Sequence, residues 1–410
     1  MGSVPPRNLG GQATHDRRGL VLTGHKRTIA DVVTLRTEPV RRGLEALARS
    51  GLEWTAFSRG ALELLAAAVP FEAGCMGPAD PATGLLTGSA KVHLPDTRDL
   101  EFFQHEYLLD EVNLFTDLAR RPSHVGVLAD DAGGDPARSS RHRDYFVPYY
   151  GLRHEMRAAA VADGRMWGHL ALYRTDRPSG FSPAEADFLA RVVPSLAHGL
   201  RAGLVADVAR AAGTPAGAVA DGPAVLVVDP SDGVAQVTAS AEARIEELGG
   251  SAWGVLPTPV GAIVAAARRA GRDDGGGLPR LRVRAPSGRW LVVHASPLAA
   301  RDGVGRQVVV TIEDARPAEV VPLVLAALGL TARERSVVAA VLAGAGTREI
   351  AARLHLSPWT VQDHLKSVFE KAGVGSRREL VARVFFDRHA APPAADAESA
   401  VDAHSAAWPA

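Results

Sequence analysis

The 410 residues carry 46 Lys or Arg against 46 Asp or Glu, 46% hydrophobic residues and one cysteine, a globular composition long enough for two or three domains. Zero net charge excludes attraction to nucleic acid through global charge, so any such attraction has to be local. One cysteine excludes a disulfide framework and fits a reducing cytoplasm, and no apolar run approaches a membrane span.

In chain order, residues 1–28 lack the apolar centre of a signal peptide and are expected to be a disordered leader. A first unit is expected over 29–213. Val40 to Ala48 and Ala56 to Val69 read as helices, Leu85 to Lys91 as a strand, and Glu101 to Arg120 as a helix burying Phe103, Tyr107, Leu108, Phe115 and Leu118. Strands follow at Val125 to Ala129, Glu155 to Val161 and Met166 to Tyr173. Ser182-Pro183-Ala184-Glu185 then starts a long helix, with a capping box and a proline at the first helical position. Along that helix Leu189, Val192, Val193, Leu196, Leu200, Leu204 and Val208 form one apolar stripe. It suits packing on the first unit's sheet or, alternatively, a parallel dimer contact.

Strands enclosed by helices at both ends suggest an α+β sensor. The unit resembles a GAF-type domain in VPFEAG from Val69 to Gly74, GDPARSSRHRDYF from Gly134 to Phe146, MWGHLALYR from Met166 to Arg174, and GFSPAEADFLARVVPSLAHGLR from Gly180 to Arg201. The last segment is similar to those of large actinobacterial LuxR-type regulators. The resemblance implies a role in sensing and names no ligand.

A second unit is expected over 219–314. Ala224 to Asp229 and Val234 to Thr238 read as a hairpin across an Asp-Pro-Ser-Asp-Gly turn. Helices follow at Ala239 to Leu248 and Pro259 to Arg269, then strands at Arg280 to Ala285, Trp290 to Ala295 and Val308 to Glu313. This order resembles a PAS-like domain.

A third, all-α unit is expected over 325–390, ahead of a disordered tail at 391–410. Thr331 with Glu334 and Ser376 with Glu379 fit capping boxes, Thr347 can cap a helix ending near Leu354, and Ser357-Pro358 starts the next. Only His355 and Leu356 separate the middle pair, the tight junction of a helix-turn-helix. Val361, Leu365 and Val368 recur at core spacing with Ile350, Ala351 and Leu354, so Trp359, Gln362, Asp363 and Lys366 face outward. Gln362 suits adenine, Lys366 guanine and Asp363 the cytosine amino group. Thr347, Ser357, Thr360, Lys371, Arg377 and Arg378 sit at helix ends and flanks, where phosphate contacts are made. Between Gly329 and Ala390 there are ten Lys or Arg against six Asp or Glu. The competing reading is a surface helix with ordinary solvated charges.

This segment resembles the LuxR-type DNA-binding domain at Leu330-Thr331, Arg333-Glu334, Gly344, Glu349-Ile350-Ala351, Leu354, Leu356-Ser357, Thr360-Val361, His364-Leu365, Lys371, Val374, Ser376-Arg377 and Glu379-Leu380. It departs at Trp359 and Asp363. The resemblance implies four helices, the third reading DNA and the fourth, Arg377 to about His389, supporting a homodimer.

No phosphate-binding loop or H-E-x-x-H motif occurs; His105-Glu106 and His154-Glu155 lack the second histidine. Asp130-Asp131 is poorly placed for a phosphorylated receiver, and no lysine lies between Lys91 and Lys366. Cys75 reads as a small buried hydrophobe or, alternatively, a nucleophile or redox sensor. Aromatic residues crowd the first unit, as core or as a ligand cleft. Tyr145, Tyr149, Tyr150 and Trp167 are the ligand-pocket candidates, with Arg141 and Arg143 beside the tyrosines. No catalytic residue, metal ligand or cofactor is assigned.

The expectation is a multidomain α+β protein with GAF-like and PAS-like antiparallel sheets followed by a four-helix DNA-binding domain. Its function would be one-component transcriptional regulation, with double-stranded DNA as partner, a small-molecule or protein signal at the sensors, and RNA polymerase as a further contact. The alternatives are a sigma-factor-like promoter reader, for which the strand-rich middle is wrong, and an enzyme fused to a DNA-binding tail.

Overall fold

The computed structural model describes residues 29–95, 98–175, 180–206, 222–272, 279–299 and 307–385. The leader, the tail, Val208 and the end of the fourth helix beyond Phe385 lie outside the described residues. In the first unit, α1 (Ile29–Ala48) and α2 (Trp54–Ala68) lead to β1 (Ala73–Pro78), β2 (Ala90–Val92), α3 (Asp99–Tyr107) and α4 (Phe115–Leu118). Then come β3 (Val125–Val127), α5 (Leu128–Asp131), α6 (Val147–Tyr150), β4 (His154–Ala162), β5 (Arg165–Arg174) and α7 (Pro183–Val205). The strands form one antiparallel sheet in the order β2-β1-β5-β4-β3.

Side chains alternate across a strand, and both faces of this sheet are buried. Met76, Met156, Leu170 and Leu172 meet α1, α2 and α7, where Leu189, Val193 and Leu196 are buried with Phe57. Cys75, Ala171 and Tyr173 face the other way, towards Phe103, Phe115 and Phe146. Ser182 caps α7 in a reciprocal box with Glu185. The apolar stripe is thus occupied within the chain as far as Leu200, while Leu204 joins a separate cluster.

Three expected elements differ. The helix from Glu101 to Arg120 is two, because the buried Glu106 carboxylate accepts the Phe115 N–H at 2.9 Å and Asn113 adopts φ 60° between them. Leu108 is only half-buried. In the segment Leu85 to Lys91, strand pairing is confined to an Ala79–Leu86 bridge and to the residues from Ala90 on. The strand at Val125 turns into α5 after Val127.

The second unit holds β6 (Val225–Val228), β7 (Val234–Val237), α8 (Ala239–Glu247), α9 (Thr258–Ala270), β8 (Arg280–Arg284), β9 (Trp290–Pro297) and β10 (Val308–Asp314). Its antiparallel order is β7-β6-β10-β9-β8. Asp229 builds the first turn by accepting from Ser231 N and Gly233 N, with Asp232 at φ 68°. On β8, Leu281 and Val283 enter the core while Arg280, Arg282 and Arg284 point out of the unit.

All three arginines reach other parts of the chain. Arg282 pairs with Asp80 of the first unit and donates to the Glu319 carbonyl. Arg280 meets the Glu319 carboxylate, and Arg284 donates to the carbonyls of Leu204 and Ala206 at the end of α7. Glu319 belongs to α10 (Pro317–Ala327), a helix that runs into the third unit expected from 325. Val320, Leu323 and Ala327 bury one side of α10 with Trp167, Leu204 and Trp290. Val321 and Leu325 meet the core of the remaining helices, α11 (Ala332–Leu342), α12 (Thr347–Leu354), α13 (Pro358–Ala372) and α14 (Arg377–Phe385).

Candidate nucleic-acid interface and aromatic cavity

The geometry of α11 to α14 follows from local chemistry. Thr331 and Glu334 cap α11 reciprocally. The cap of α12 is Gly346 rather than Thr347, which is the first helical residue. His355 closes α12 with φ 51°, the left-handed residue that turns the chain. Ser357 then caps α13, accepting from Thr360 N at 3.0 Å, and lies 2.8 Å from the Thr360 hydroxyl.

Val361, Leu365 and Val368 are buried with Ile350 and Ala351. Gln362, Asp363 and Lys366 are exposed on the opposite face, and Trp359 at its N-terminal end is 74% exposed. The face therefore offers a donor-acceptor amide, a carboxylate, a cation and one indole. The Gln362 amide donates to the Thr347 hydroxyl at 3.3 Å, which ties the face to the start of α12.

The candidate phosphate residues divide. Thr347, Ser357 and Thr360 stand near this face, and Arg378 is exposed at the start of α14. Lys371, though exposed, donates from its ammonium to both oxygens of Glu334 at 2.6 and 2.8 Å, where Ser367 also donates at 2.6 Å. Burial alone would raise the Glu334 pKa, but hydrogen bonds from Lys371, Ser367 and Thr331 outweigh it and hold the carboxyl at about 2. Arg377 donates to the Ala345 carbonyl. Both cations thus have a partner within the domain, which helix-end position alone does not reveal.

The pocket candidates divide too. Tyr145 and Tyr150 line a cavity beside the sheet, their hydroxyls 3.3 Å apart. Tyr149 is 45% exposed, with the Arg98 guanidinium 3.6 Å from its ring centroid. Trp167 is fully buried against Leu204 and Trp290, outside the cavity. Arg143 pairs at the surface with Asp144. Arg141 is buried, bound to Glu155 at 2.9 Å, and Arg157 to Glu106 at 2.6 Å. This buried ionic network explains Glu106, and its only trace in the sequence is arginine and glutamate inside otherwise apolar segments. Cys75 is buried in the cavity wall, and that burial pushes its thiol up to about 11.

A four-helix unit with a short left-handed turn ahead of an exposed reading helix is the architecture of a helix-turn-helix DNA-binding domain. Residues 328–384 match the family of bacterial regulatory proteins of the luxR type, so this unit is a LuxR-family helix-turn-helix domain. The chain is 45% identical over 56 residues to the monoamine regulon transcriptional regulator of Klebsiella aerogenes, covering 14% of this chain and 25% of that protein. It is 46% identical over 56 residues to the transcriptional regulatory protein UhpA of Escherichia coli K12, covering 14% and 29%. The matched part is therefore under a third of either relative's length.

Among solved structures, the GAF domain of a Coxiella burnetii phosphoenolpyruvate-protein phosphotransferase overlaps 40% of this chain and 91% of its own. The identity is 14% and the TM-score 0.29. The Vibrio cholerae VqmA dimer without target DNA overlaps 40% and 82%, at 17% identity and a TM-score of 0.21. Neither score carries an argument. No helix among the described residues is long and apolar enough to cross a membrane.

Proposed function

We propose that the chain is a one-component transcriptional regulator, in which the two sheet units control DNA binding by α13. The carrying observation is the exposed face of Gln362, Asp363 and Lys366 on the second helix of a LuxR-family helix-turn-helix. Bidentate base contacts suit Gln362 for adenine and Lys366 for guanine, and Asp363 accepts from cytosine, where a carboxylate near phosphates is otherwise repelled. Thr347, Ser357, Thr360 and Arg378 position the duplex through its phosphates. Lys371 and Arg377 hold the domain together.

In this reading the first unit is GAF-like, the second PAS-like, and the operator is bound by a homodimer, with RNA polymerase as a further partner. Support for control by the sheet units comes from α10, which is packed between them and the DNA-binding helices. A signal acts only through a difference in its affinity for two arrangements of the chain, and α10 is the element through which such a difference passes. Selection of genomic fragments by the purified protein tests the reading. Recovery of an inverted repeat by the native chain and its loss by Gln362→Ala/Lys366→Ala is the expected result. Equal, sequence-blind recovery by both proteins sinks it.

A further inference from the structure

Two hollows in the molecule meet. The inner one, about 40 Å³, is lined by Cys75, His169, Phe103, Phe146, Tyr145 and Tyr150 on the outer face of the first sheet. The other, about 740 Å³, is the cleft between the two sheet units, of mixed character, walled by Glu53, Trp54 and Thr55 on one side and Ser251, Leu256 and Val283 on the other. Ser89, Asp99 and Thr258 line both. Thr258 begins α9 of the second unit, and α9 packs so closely on α3 that a Cβ at Gly261 would lie 2.6 Å from the Phe103 ring. The mouth of the first unit's cavity is therefore built partly by the second unit.

We propose that these hollows form one two-chamber binding site for a small uncharged amphiphile, its polar head in the inner chamber and its apolar body in the cleft. The inner volume is room for about three water-sized groups, which suits a hydroxyl or primary amide and not a ring. Ser89 lies 3.5 Å from His169 Nε2, and the Tyr145 and Tyr150 hydroxyls, 3.3 Å apart, belong to the same lining, so the inner chamber holds hydroxyl and imidazole groups that can bond a polar head. Buried polar groups of this kind favour a ligand that hydrogen-bonds them.

The charges at the site are already matched. Asp99 pairs with Lys91, Glu53 accepts from Thr55 N, and Arg284 is held by two carbonyls. A charged head would enter a narrow space without a counter-ion, which costs more than it gains. Burial and the Arg157 charge hold the His169 imidazole down to about 3, so it too is neutral. The apolar side chains of the cleft supply affinity by removing the body from water.

This site supplies the signal that the regulator reading calls for, and rests on that reading only for its consequence. The test uses the full chain and titration calorimetry with octanamide, 1-octanol and octanoate. Octanamide and octanol should bind at least tenfold tighter than octanoate. Thr258→Trp, which plugs the mouth from the second unit, and Ser89→Leu, which removes a polar group at the mouth, should each weaken octanamide at least tenfold while circular dichroism stays native. Octanoate binding as tightly as octanamide, no binding by any probe, or native affinity in both variants overturns the proposal. Fragment selection, run separately on the same protein, reports on DNA recognition independently, so failure of one reading is not mistaken for failure of the other.

Discussion

Asp80 and Arg282 are 202 residues apart in sequence and meet as a two-pronged ion pair, at 2.6 and 3.0 Å, with the Asp80 side chain only 1% exposed. Asp80 also accepts the Arg282 backbone N–H at 2.8 Å. Because Arg282 donates in addition to the Glu319 carbonyl, one guanidinium joins the first unit, the second unit and α10.

Breaking that pair from one side leaves a desolvated charge. Asp80→Ala should destabilise the chain by about 3 kcal/mol, and Asp80→Ala/Arg282→Met should recover part of the loss because the orphaned cation is gone. Urea unfolding followed by tryptophan emission measures both. A double variant less stable than the single one contradicts the assignment.

The two lysines of α13 should behave differently towards DNA. Lys366→Gln is expected to weaken binding by about 1–3 kcal/mol and to relax the preference for guanine, whereas the salt slope, log K against log salt, reports phosphate contacts. Lys371→Gln should leave that slope unchanged and instead lower the melting temperature, because its ammonium is engaged by Glu334. Binding isotherms at several salt concentrations separate the two.

Glu334 also sets a pH dependence. Its folded pKa of about 2 lies below the ordinary 4.5, so its contribution is complete above about pH 4.5 and is lost as pH falls towards 2. The full effect is at most about 3 kcal/mol, from roughly 1.4 kcal/mol per pKa unit, and solvent screening of the exposed Lys371 reduces it. Acid unfolding of Glu334→Gln should be correspondingly flatter than that of the native chain in this window. Parallel acid titrations of the two proteins by circular dichroism check it.

Trp359 has no packing role that accounts for its 74% exposure. If α13 enters the major groove, this indole loses water on binding, and apolar contact with a thymine methyl is one available use. The emission difference between the native chain and Trp359→Phe should shift to the blue when the selected fragment is added. An unchanged difference spectrum would place Trp359 away from the DNA.

Within the first unit, a Cβ on Gly199 of α7 would lie 2.0 Å from the Phe57 ring. Gly199→Ala should therefore cost about 1–3 kcal/mol by overpacking, readable as a lower urea midpoint. A neutral substitution would mean that α7 does not lie against α2 as described, and would reopen its stripe as a dimer surface.

Much of this molecule was legible from the chain because the signals are local. Caps at Ser182, Thr331 and Ser357, and the 3.6-residue recurrence of Val361, Leu365 and Val368, depend on groups within a few positions of each other. The exposed face of α13 and the alternation along β8 followed from such local rules. Tertiary packing decided the rest. It broke the helix expected from Glu101 to Arg120 by burying Glu106 against Arg157, and it gave Lys371 and Arg377 partners 37 and 32 residues away. It also brought Thr258 to the mouth of a cavity in another unit and Arg282 to Asp80. A side chain's partner across such distances is set by where whole elements dock, and a residue's immediate neighbours in sequence carry no record of that.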